Sequence, residues 1–137
     1  STAQTIQNNT ATLITWEVAV RNVDSMFDAA SPTRLTVPTG YSAAEARCAI
    51  DWEVSPTGAR NIRINLNGAG TTYGLGRNLV PAISGSDIVQ QAFTSFVPVV
   101  PGDYFEVLVE HNNGSAIDIS PDVAGGYVTW FELKCYA

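Results

Sequence analysis

Residues 55–68 read SPTGARNIRINLNG, and the stretch from Ala59 to Leu66 decides the fold class. Ile62, Ile64 and Leu66 alternate with Arg63 and Asn65, the two-residue period of a strand with one dry face and one wet face. Asn67-Gly68 follows as a turn signal, because both residue types tolerate positive φ. Arg63 and Asn65 are therefore expected on a solvated outward surface.

The same grammar extends in both directions. Alternating or β-branched runs occur at 12–20, 33–37, 43–53, 60–66, 88–97, 104–111, 116–119 and 127–136. Turn clusters separate them, among them NVDS, VPTG, SPTG, SGSD, VPGD and HNNG. No segment sustains a 3.6-residue period. YSAAEARCA favours helix by composition, yet it runs directly into IDWEV and is read as strand. Eight short strands predict an all-β, two-sheet sandwich with a jelly roll as its topology. The longest irregular connection is 67–86, NGAGTTYGLGRNLVPAISGS. Residues 1–10 read as a polar arm and 11–137 as the jelly-roll domain.

Composition bounds the function. A chain of 137 residues with 45% hydrophobic and 15% charged content is one globular domain. No apolar run approaches the ~20 residues of a membrane helix, so no membrane partner is expected. The polar, uncharged start STAQTIQNNT is unlike a signal or transit peptide, which leads to an expectation of cytoplasmic synthesis. Net charge is −6 and the six Arg are scattered, which argues against nucleic acid.

Chemistry-bearing residues are few. The single histidine, His111, ends a strand without a nucleophile elbow nearby and is read as solvated. Asp24 and Asp28, or Asp118 and Asp122, are turn acids with nothing to tune them as a catalytic pair. No enzyme activity and no resident cofactor are expected. DSMFD and DISPD place carboxylates where calcium could bind, without the spacing of an EF-hand loop. Cys48 and Cys135 share parity with core positions and read either as two buried thiols or as a cross-strand disulfide.

Aromatic residues carry more. Trp130 and Tyr136 lie opposite the Phe131, Leu133, Cys135 face of their strand, and Tyr104 and Leu108 lie opposite Phe105, Val107 and Val109. A monomeric sandwich would leave Tyr104, Leu108, Trp130 and Tyr136 wet, and such residues mark an interface. Alternation with Ile14 and Val18 assigns Trp16 to the core.

The order of signals resembles the trimeric jelly-roll family of tumour necrosis factor and complement globular heads, and most of all its versions on bacteriophage particles. The resemblance spans about 11–136. It rests on the early acidic strand with Asp24 to Asp28, PTRLTVP at 32–38, TGARNIRINLNG at 57–68 and the GDYF turn at 102–105. PTGYSAAEARCAI departs from the family pattern, being shorter at the turn and carrying Glu45 and Arg47.

The resemblance implies a homotrimer in which the first, third, sixth and last strands share the axial sheet. That would bring Tyr104, Leu108, Trp130 and Tyr136 together and set the last strand beside the third, with 60–66 in the outward sheet. It further implies a structural virion-surface protein: a capsid decoration or cement protein bound to the major capsid protein. A domain with only a short polar arm ahead of it favours that role over a tail-fibre knob. The alternative is a receptor-binding knob recognising a host glycan or protein, with Tyr73, Arg77 and Asn78 of the long connection as its contact residues. A secreted lectin-like head, suggested by sequons at Asn8 and Asn113, is the third reading.

Overall fold

The computed structural model describes residues 3–68, 74–120 and 129–137. Among these residues the chain forms no α-helix and a single 3-10 turn, Val23–Ser25. The strands are β1 (Gln4–Ile6), β2 (Thr12–Leu13), β3 (Arg34–Thr36), β4 (Ala43–Trp52), β5 (Ala59–Leu66) and β6 (Gly76–Pro81). They continue as β7 (Ile88–Phe93), β8 (Val97–Pro98), β9 (Tyr104–His111), β10 (Ile117–Ile119) and β11 (Trp130–Tyr136).

These strands build two antiparallel sheets, an all-β arrangement compatible with a jelly-roll sandwich. In the first, β4 is central: β11 and β10 run along one edge, β7 and β8 along the other, and β1 pairs outside β10. In the second, β9 is central, with β5 on one edge, β2 and β3 on the other, and β6 outside β5.

Alternation sends one set of side chains inward from each sheet. From β4 these are Ala44, Ala46, Cys48, Ile50 and Trp52, and from β5 and β9 they are Ile62, Ile64, Phe105, Val107 and Val109. The small alanines of β4 lie opposite Cys135 and Leu133 of β11, so bulk on one strand fills the space left by the other. Full burial of a Phe or Ile side chain is worth about 1.5–3 kcal/mol, so this inward set is the main source of stability.

Four expectations need correction. Residues 12–20 are a strand only at Thr12–Leu13, and the arm contributes β1, whose Ile6 is fully buried. The connection 67–86 contains β6, a strand hidden by its Gly, Asn and Pro content. A Cβ on Gly76 would lie 2.3 Å from the Phe93 carbonyl oxygen, so glycine is what lets β6 close against β7. Third, β9 belongs to the same sheet as β5, not to the sheet of β11. Fourth, His111 is buried: its Nε2 lies 2.8 Å from the Ile6 carbonyl and its ring meets Trp52 edge-on at 5.9 Å. It ties β9 of one sheet to β1 of the other.

The thiols are free, Cys48 buried and Cys135 half-buried. They do sit on neighbouring strands, but Cys135 faces Ala44. Cys48 is four residues further along β4, roughly 13 Å at strand rise, beyond the reach of a disulfide.

Candidate functional site

The outer face of the β4 sheet collects the exposed aromatic surface. From β11 it takes Trp130, Glu132, Lys134 and Tyr136, standing opposite Ala49, Arg47, Glu45 and Ala43 of β4. Across β4, Phe93 faces Arg47, Gln91 faces Ala49 and Val89 faces Asp51. Phe93 is 75% exposed and Phe96, just beyond β7, is 60% exposed; Val89 is exposed as well.

Charged rungs hold this surface in order. The Arg47 guanidinium donates to Glu132, which holds Arg47 above its usual pKa range, and lies 5.8 Å from the Trp130 ring. Lys134 lies 3.8 Å from Glu45 and 5.0 Å from the Tyr136 ring, while the Tyr136 hydroxyl donates to Glu45 at 2.6 Å. Phe96 packs on Tyr136 at 5.1 Å. Arg47 with Glu132 and Lys134 with Glu45 cancel in pairs, while Asp51, outward on the same face, adds a further carboxylate. A shallow depression of about 230 Å³ on this face is lined by Glu45, Arg47, Phe93, Thr94, Glu132 and Lys134.

Trp130 and Tyr136 thus occupy one face. Tyr104 and Leu108 do not join them: both stand on the outer face of the opposite sheet. There Leu108 is only 6% exposed, with Arg63 and Leu13 opposite it, and Tyr104 lies 4.7 Å under the Arg34 guanidinium. The four residues therefore form no common patch. The cause is β6: leaving it out of the strand count made 104–111 the sixth strand in place of 88–93. Phe93 and Val89 are the residues missed, although IVQQAF shows apolar side chains on both parities.

The solvated surface assigned to Arg63 and Asn65 is also absent. Both are buried on the outer face of β5, where long polar side chains cover one another. Arg77 and Asn78 lie on β6, not in a loop; Asn78 spans to β7, donating to the Gln91 carbonyl at 2.8 Å and accepting from Gln90. Tyr73 lies outside the described residues, as does Asp122. Trp16 is half-buried against the core and stacks on Phe131 at 5.6 Å.

The turn acids act as local acceptors. Asp24 receives the Tyr41 hydroxyl at 2.6 Å, and Asp28 caps the backbone N–H of Ala30 at 2.9 Å. Among the described residues no cluster of three or more His, Cys, Asp or Glu could hold a metal ion. A larger apolar cleft of about 1070 Å³ runs between residues 14–23 and β11. No protein-family model and no curated protein matches the chain.

Proposed function

We propose that the chain is a non-enzymatic jelly roll that assembles as a homotrimer and decorates a phage capsid, binding and stabilising its major capsid protein at the virion surface. The observation that carries this reading is the aromatic outer face of the β4 sheet. Phe93, Phe96, Val89, Trp130 and Tyr136 leave apolar surface on one side of a sheet that is already packed on its other side. Exposed apolar surface of this kind, crossed at its middle by two charge pairs that satisfy each other, suits contact between copies.

Strand order adds support. With β1 as the first strand, β2 and β3 together as the second, and β6 restored as the fifth, the first, third, sixth and last strands are β1, β4, β7 and β11. All four lie in the β4 sheet, the sheet that the resemblance turns toward a threefold axis. Three linked copies would then bind a capsid through three weak contacts at once, which raises avidity without a strong single contact.

Sedimentation with undecorated capsids tests the reading. Saturable co-sedimentation in multiples of three chains, with raised capsid stability, is the expected result. Binding to host cells without binding to capsids would replace it with the receptor-binding reading.

A further inference from the structure

The outer face of the β9 sheet gathers arginine in an acidic chain. Arg63 of β5 stands directly opposite Arg77 of β6, and like charges opposed across a strand pair repel. The chain has seven Lys and Arg against thirteen Asp and Glu. Three of those seven, Arg34, Arg63 and Arg77, share this one face with the carboxylates of Glu106 and Glu110.

Two carboxylates meet three guanidinium groups here, which leaves one positive charge over. Glu106 lies between Arg34 and Asn65, one rung from Arg63, and accepts from Thr33 at 3.0 Å. Glu110 reaches Arg63 alone, receiving its Nη2 at 2.6 Å. Arg63 is 6% exposed, and its Nη1 is buried without a hydrogen-bond partner. Arg77 is exposed and spends its Nε on the Asn61 side chain at 3.1 Å. Leu79, opposite Asn61 on the same face, is exposed beside it.

We propose that Arg77, backed by Arg63 and flanked by Leu79, is the docking point for a carboxylate of an acidic segment on a partner protein. An added carboxylate relieves the opposition of the two guanidinium groups and meets the free edge of Arg77 in the paired geometry that arginine favours. Leu79 supplies apolar contact next to that charge, the combination typical of an interface anchor. A strand face encloses no small molecule, so a protein surface is the occupant it fits. This site lies on the sheet opposite the proposed self-association face and does not depend on it.

Arginine Nε–Hε resonances of the full chain, followed by NMR at constant ionic strength, read the site directly. The probes are acetylated hexaglutamate, hexaglutamine and sulfate. Hexaglutamate is expected to shift Arg77 and Arg63 together and saturably, leaving Arg21 in place, while hexaglutamine shifts neither. Arg77→Gln is expected to weaken hexaglutamate binding roughly tenfold or more and to keep or raise the thermal midpoint, since the like-charge opposition is gone. A lowered midpoint with unchanged hexaglutamate binding would assign Arg77 a structural role and overturn the proposal. Equal shifts at every arginine, or sulfate reproducing the effect at the same concentration, would overturn it too.

Discussion

The side-chain amide of Asn67 donates to the carboxylate of Asp103 at 2.7 Å, and its oxygen accepts the backbone N–H of Tyr104 at 3.0 Å. Asp103 uses its other oxygen to accept the N–H of Val100 at 2.8 Å. Asn67 and Gly68 both have positive φ, 53° and 64°, as their turn signal requires. The NG and GD motifs, far apart in the chain, are therefore two halves of one clamp that sets the register of β5 against β9. Asn67→Ala and Asp103→Ala should each cost about 1–2 kcal/mol. A double-mutant cycle by urea unfolding should return a coupling of about 0.5–2 kcal/mol. Strict additivity would remove the clamp from the account.

Gly76 is fixed by proximity, because its absent side chain is the space occupied by the Phe93 backbone. Gly76→Ala forces β6 away from β7 and opens the corner where the two sheets meet. A loss of about 2–4 kcal/mol is expected in denaturant unfolding, well above the ordinary glycine-to-alanine effect. A neutral outcome would mean that the corner yields easily.

His111→Ala removes the contact to the Ile6 carbonyl and leaves a cavity beside Trp52. The expected cost is about 2–4 kcal/mol. Hydrogen exchange should show β1 losing protection before β9 does. Uniform loss across both sheets would argue that His111 supports the core generally and does not tether β1 in particular.

Burial pushes the Cys48 thiol up to about 12 from an ordinary value of 9.0. The unfolded thiol releases its proton above pH 9 while the folded one keeps it. The unfolded state then binds fewer protons, so stability falls with rising pH across the window from 9 to 12. At pH 10.5 this amounts to about 2 kcal/mol. Urea midpoints at pH 8 and pH 10.5 should therefore drop less in Cys48→Ala than in the parent chain. Equal drops would place the alkaline loss elsewhere.

Strands with a clean alternation were legible in the sequence: β4, β5, β9 and β11 stand close to where their patterns put them. Two kinds of information were not. β6 is held by register and by the Gly76–Phe93 approach, neither of which shows in the composition of GRNLVP. Missing it displaced the strand count, and with it the sheet assigned to Tyr104 and Leu108. Burial on an outer face was the second gap. Arg63, Asn65 and Leu108 look solvent-facing by parity, yet neighbouring long side chains cover them, a tertiary effect with no local signal. Trp130 and Tyr136 stand on the outer face of β11, as their parity against Phe131, Leu133 and Cys135 predicts.

The central claim is that copies of the chain meet through the outer face of the β4 sheet. Light scattering during size exclusion, on the parent chain and on Phe93→Glu, tests it most directly. Phe93 stands outward opposite Arg47 and is three-quarters exposed, so the substitution should leave the fold intact. A mass of three chains for the parent and one for the variant, with equal thermal midpoints measured on dilute samples, is the predicted result. A parent chain that elutes with the mass of one chain at every concentration would contradict it.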